Sequence, residues 1–108
     1  MHRRAAELVR ALGMQAHPEG GAYREIYRSP AAVQPQDRRP ARSALTVIYF
    51  LLADGHQSRW HRVHSDEVWQ HVEGAPLELV RIDPAESECE TLLRGPLAGS
   101  VEPVRVIP

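Results

Sequence analysis

Four of the six histidines, His56, His61, His64 and His71, fall within residues 55–74, among Asp66, Glu67, Glu73, Trp60 and Trp69. Imidazoles and carboxylates at this density suit two chemistries. One is metal binding, with His61, Glu67 and either His71 or His64 offering nitrogen and oxygen donors to one divalent ion such as zinc, iron, nickel or manganese. The other is proton transfer beside a carbonyl, with His61 or His71 as base, Glu67 as its orienting partner, and Tyr23 or Tyr27 as acid. A third reading is non-catalytic. Trp60, Trp69, Tyr23 and Tyr49 would be apolar walls around a small polar ligand, oriented by Glu25, Tyr27, Arg28, Trp69 and His71 together with Arg24 and His61. Each has a plainer alternative, because strand histidines are more often hydrogen-bonded core or surface residues than ligands, and tryptophans more often pack the core. His2, His17 and His56 are expected to lie apart from the site, His17 because it precedes a proline in a turn.

The flanking residues decide what holds these side chains. Leu45-Thr46-Val47-Ile48-Tyr49-Phe50-Leu51-Leu52 before the stretch and Leu77-Glu78-Leu79-Val80-Arg81-Ile82 after it are rich in β-branched, aromatic and aliphatic residues and are bounded by turn residues. The histidines are therefore expected on strands. Alternation puts His61 and Val63 on one face, and Glu67, Trp69, His71 and Glu73 on one face of the next strand across a Ser65-Asp66 turn. His64 points opposite His61 unless a bulge re-aims it.

The rest of the chain supplies the frame. Ala5, Leu8, Val9 and Leu12 recur at helical spacing and Gly13 is placed to end a helix, so residues 1–13 read as a short amphipathic helix. Residues 22–28 alternate, with Tyr23, Glu25 and Tyr27 on one face and Arg24, Ile26 and Arg28 on the other, as a charged edge strand or the wall of a polar pocket would. Residues 30–42 hold prolines and glutamines and read as a flexible loop, whereas 44–52 read as a central strand buried on both sides or paired on both edges. Further strands follow at 77–82, 88–94 and 103–107. Six or seven short strands at about ten-residue intervals predict an all-β barrel or sandwich.

Composition narrows the class. With 108 residues, 43% hydrophobic and 25% charged, the expectation is one globular domain spanning 1–108, its barrel strands over 44–108. A net charge of -1 argues against a nucleic-acid partner. The single Cys89 excludes an intramolecular disulfide, and Glu88 and Glu90 beside it disfavour a reactive thiolate. The apolar run at 44–53 falls well short of the roughly 20 residues that cross a bilayer, and the N-terminus is charged where a signal peptide needs an apolar region. No membrane partner and a cytoplasmic location are expected.

Gly55, five residues, His61, one residue, Val63, three residues, Glu67, six residues and Gly74 resemble the first conserved motif of the cupins, with Val63 in place of its second His. His17-Pro18-Glu19-Gly20-Gly21-Ala22-Tyr23-Arg24-Glu25-Ile26-Tyr27-Arg28-Ser29, Tyr49-Phe50-Leu51-Leu52, His61-Arg62-Val63-His64-Ser65-Asp66-Glu67-Val68-Trp69 and Glu73-Gly74-Ala75-Pro76-Leu77-Glu78-Leu79 resemble the cupin-5 family, from about Leu8 to Pro108. The resemblance implies a jelly-roll barrel with a short N-terminal helix, a polar pocket in the barrel, and for residues 22–28 a part in substrate binding like that of similar segments in sugar-nucleotide epimerases. Three functions follow as expectations. They are small-molecule binding, a metal-dependent or epimerase-like enzyme acting on a sugar nucleotide or related carbonyl compound, and a shortened non-catalytic member. In the resembling family the segment at 100–108 leads into a second motif and the last strands. Without that part the pocket is expected to be open on one side or completed by a partner subunit, and the exposed edges favour a homodimer.

Overall fold

A computed structural model describes residues 3–53, 55–60, 65–83, 88–99 and 101–107. They gather into two compact units, Met1–His61 and Arg62–Pro108. The first begins with helix α1, Arg3–Leu12. Its buried side chain is Ala5, on the apolar stripe, and Arg3 and Arg4 pair with Glu7 on the exposed side. The helix ends as its sequence foretells. Gly13 takes φ 60, its N–H donates to the Arg10 carbonyl, and the Met14 N–H donates to the Val9 carbonyl. This double closure satisfies carbonyls that a helix end otherwise leaves open. The Arg24 Nη1 donates to a further one, on Leu12, at 3.0 Å.

Strands β1 (Gln15–Ala16) and β2 (Ala22–Arg28) form an antiparallel hairpin. The segment read as a loop contains a short ribbon, β3 (Ala32–Val33) against β4 (Arg42–Ser43). Its base is tied by the Ser29 N–H on the Leu45 carbonyl and by the Ser43 hydroxyl on the Ser29 carbonyl, each at 2.8 Å. Proline content hides such a ribbon, because two residue pairs suffice for it. Strand β5 (Thr46–Leu51) then pairs with β2, giving the sheet order β1-β2-β5.

Two expectations change here. β5 forms where its β-branched and aromatic residues put it, but among the described residues it pairs on one edge only, and Val47, Ile48 and Tyr49 are 39–41% exposed. An apolar run specifies a strand; what covers the strand is decided elsewhere. Second, the register shifts between Glu25 and Tyr27. Tyr23 faces Phe50 and Glu25 faces Ile48, then Tyr27 faces Val47 and Arg28 faces Thr46. Directly paired residues share a face. The bulge at Ile26 therefore moves Tyr27 to the face of Arg24 and Tyr49, and brings Arg28 to the face of Tyr23 and Glu25.

The second unit holds β6 (Glu67–Gln70), β7 (Leu77–Asp83), β8 (Glu88–Arg94) and β9 (Val104–Ile107). They pair as two antiparallel ribbons, β6 with β9 and β7 with β8. Glu67 and Trp69 share the half-buried face of β6, while Val68 lies exposed opposite Val106. Past the end of β8, Gly95 lets the chain close on Pro76, since a Cβ there would stand 3.2 Å from three Pro76 atoms, and the Gly95 N–H donates to the Glu102 carbonyl.

Candidate functional site

The turn between β1 and β2 is fixed by backbone hydrogen bonds and by close packing at its two glycines. The Gly20 N–H donates to the His17 carbonyl at 3.0 Å and the His17 N–H to the Gly21 carbonyl at 2.9 Å. Gly20 has φ 113 and Gly21 φ 79, values that side chains rarely allow. Space forbids them as well. A Cβ on Gly20 would lie 2.6 Å from the Gln57 carbonyl oxygen, and one on Gly21 2.6 Å from that of Leu51. Arg59 clamps the turn from the other side, with its N–H on the Glu19 carbonyl and its Nη2 on the Pro18 carbonyl, both at 2.6 Å.

This turn presents His17, which the sequence reading set aside. Its ring stands edge-to-face against Tyr23 and Phe50, with centroids 5.0 and 5.2 Å away. Its Nδ1 lies 3.0 Å from Glu19 Oε2 and 3.1 Å from the Glu19 backbone nitrogen. One nitrogen cannot donate to the carboxylate and accept the backbone N–H at once. His17 thus has a partner for Nδ1 whether or not that nitrogen carries hydrogen, and Nε2 makes no hydrogen bond among the described residues. The signal in the sequence was the Gly-Gly pair following His-x-Glu, which demanded a close approach.

Along the same face of β2 come Tyr23, whose hydroxyl accepts from Gln15 Nε2 at 3.1 Å, and Glu25, paired with Arg28 Nη2 at 2.6 Å. Phe50 and Ile48 of β5 lie opposite them. The face is thus a strip of polar groups beside an apolar floor. Of the expected ligand-binding residues it brings together Tyr23, Glu25 and Arg28, and it leaves Tyr27 on the other side.

Of the other expected site residues, Arg24 and Tyr49 pair on the opposite face of the β2–β5 ladder and Trp60 is exposed, while the rest belong to the second unit or lie outside the described residues. His61, Val63 and His64 are among the latter, so the metal donor set and the base His61 are not described. Trp69 Nε1 donates to Glu67 Oε1 at 3.4 Å. β6 ends before His71, whose N–H continues the pairing through the Pro103 carbonyl at 2.7 Å and whose Nε2 contacts the Ala75 carbonyl at 3.2 Å. A carbonyl only accepts, so Nε2 carries a hydrogen. Among the described residues no three His, Cys, Asp or Glu side chains converge on a point where an ion could sit. Glu67 and His71 by themselves do not make a metal site. Among the described residues no helix is long and apolar enough to cross a membrane.

Solved structures similar to this chain identify its fold. A crystal structure of a Shewanella oneidensis protein, a structural genomics target, superposes with TM-score 0.84 at 36% identity, covering 96% of this chain and 63% of that one. A hypothetical protein from Leishmania major superposes with TM-score 0.81 at 29% identity, covering 96% and 64%. The chain thus spans less than two thirds of the length of either. No curated protein matches it. Residues 6–108 match the family Cupin_5, described as "Cupin superfamily (DUF985)". With mostly strands and a single short helix among the described residues, the chain has an all-β, cupin-like fold and belongs to the Cupin_5 family.

Proposed function

We propose that this cupin binds a small polar molecule on the β2–β5 face that carries Tyr23, Glu25 and Arg28. The observation that supports the reading is the bulge at Ile26, which turns Arg28 rather than Tyr27 toward Tyr23 and Glu25. A regular strand would have put a second phenol there and the guanidinium on the far side. The bulge instead sets a donor fork, a carboxylate and a phenol along one strip beside Phe50, the mixture of few polar groups and apolar surface that orients small ligands. Hydroxyl groups suit it best. The Glu25 carboxylate accepts from them while Arg28 and the Tyr23 hydroxyl donate to them.

Saturation-transfer NMR against a library of monosaccharides, nucleotides and hydroxy acids tests this reading. Binding of hydroxyl-rich compounds that weakens at least tenfold in both Tyr23→Phe and Arg28→Ala, with both variants still folded and thermal midpoints within about 4 °C of the parent chain, is the expected result. Ligands that bind both variants as well as the parent chain, or no ligand at all, would refute it.

A further inference from the structure

We propose that His17, backed by Glu19 and set beside Tyr23, is a proton-transfer centre on this same face, acting on a small hydroxylated aldehyde or ketone. The inference rests on the binding reading above and adds a reaction to it. Its basis is the complementary state of two neighbouring groups. The Tyr23 hydroxyl already accepts from Gln15, so its own hydrogen is left to donate, and in the tautomer whose Nδ1–H donates to Glu19 Oε2 the His17 Nε2 is left to accept. The His17 side chain is 21% exposed, open enough for a ligand atom to reach and covered enough to be held by Tyr23 and Phe50. A donor and an acceptor on rings whose centroids are 5.0 Å apart fit a fragment in which an acidic C–H adjoins a carbonyl.

The step balances without any co-reactant. Nε2 takes the proton from the carbon beside the carbonyl. The C–H electron pair becomes the enolate double bond, and the carbonyl pair moves onto oxygen, where the Tyr23 hydroxyl donates a hydrogen bond and keeps its proton. The imidazolium is held by its Nδ1–H on Glu19 Oε2. It exchanges its Nε2 proton with solvent and returns a solvent-derived proton to the same carbon. Glu19 is a positioning residue in this scheme, because it acts through the ring and not on the ligand. The glycine turn explains how a loop can hold the ring in place. With Gly20 and Gly21 packed against backbone and Arg59 holding the carbonyls of Pro18 and Glu19, the turn has little room to shift.

The test is proton NMR in deuterium oxide with dihydroxyacetone, glyceraldehyde and erythrulose, following loss of the C–H signals, alongside saturation-transfer titration of the same compounds. The expected result is exchange above the buffer rate that falls about a hundredfold or more in His17→Gln, as for loss of a general base. Tyr23→Phe should reduce it as well. Glu19→Gln, which keeps the side-chain shape and guards against a misfolded His17 variant, should slow exchange while leaving the dissociation constant unmoved. Exchange at the parent rate in a folded His17→Gln, or a change in affinity alone in Glu19→Gln, would overturn the proposal. Binding without exchange would overturn it and leave the binding reading standing, and absence of binding by all three compounds would overturn both for this ligand class.

Discussion

Gly21 and Gly55 form a natural pair for separating backbone strain from crowding. Their φ angles are 79 and 80, so an alanine at either position carries the same conformational penalty, about 1–2 kcal/mol. Their surroundings differ. A Cβ on Gly55 would meet nothing within 4 Å among the described residues, whereas one on Gly21 would stand 2.6 Å from the Leu51 carbonyl oxygen, 2.9 Å from Leu52 Cδ2 and 3.3 Å from Phe50 Cζ. The nearest of these is backbone in the β2–β5 ladder, where Leu51 pairs with Ala22, and it cannot swing aside without opening that ladder. Forcing one carbon into such a space typically costs about 1–3 kcal/mol beyond the shared term. At about 4 °C per kcal/mol for a chain of this size, Gly21→Ala should melt about 4–12 °C below Gly55→Ala. Thermal unfolding followed by circular dichroism reads the difference, and urea titration should show a lower midpoint at unchanged slope. Equal midpoints for the two variants would mean that the turn does not sit against β5 as described, and the argument that it fixes His17 would go with it.

Other consequences are smaller. A double-mutant cycle on Glu25 and Arg28, whose side chains are 37% and 63% exposed, should give a coupling of about 0.2–1 kcal/mol that shrinks in 0.5 M salt; a salt-independent coupling would mean that the pair is shielded from solvent. Arg59→Met removes the 2.6 Å charged hydrogen bond to the Pro18 carbonyl but leaves the backbone bond to Glu19, so a loss of about 1 kcal/mol in urea unfolding is expected, and no loss would mean that the guanidinium contact is idle. Hydrogen bonds from Arg39 hold the Asp37 carboxyl below its ordinary range. Its contribution to stability is therefore present above that range and is lost as pH falls through the lowered folded-state value. Carbon-13 NMR titration should show the depressed midpoint in the parent chain and its return toward the ordinary value in Arg39→Gln.

Local signals in the sequence specify the local elements. The spacing of Ala5, Leu8, Val9 and Leu12 with Gly13 marked α1, and the β-branched runs marked β5 and β7, because each depends on residues within a few positions of one another. The family resemblance, carried by the glycine and histidine spacings, reached further and gave the cupin-like fold. What stayed illegible depends on partners distant in sequence. Alternation counts residues and has no term for a bulge, so it put Tyr27 rather than Arg28 beside Tyr23. Nothing in residues 22–28 alone announces the slip; it lies in the register against residues 46–51. Coverage of β5 was illegible for the same reason.

His17 shows most plainly why a site can be present in a sequence and still be passed over. Density favoured the stretch at 55–74, where histidines crowd, over a single imidazole before a proline. Yet catalytic groups need fixed orientation more than they need numbers, and the evidence of fixation lay in residues without chemistry of their own. Gly20 and Gly21 adopt backbone angles that favour glycine, and each presses against a carbonyl where no side chain fits. Two adjacent glycines that are only turn formers would have free space around them, as Gly55, Gly74 and Gly99 do, where an added Cβ would meet nothing within 4 Å among the described residues. The contrast gives a general reason to look first at the polar residues beside crowded glycines. A carboxylate two positions from an imidazole is held beside it by the turn they share, and that turn is itself fixed by Arg59 and by the Gln57 and Leu51 carbonyls.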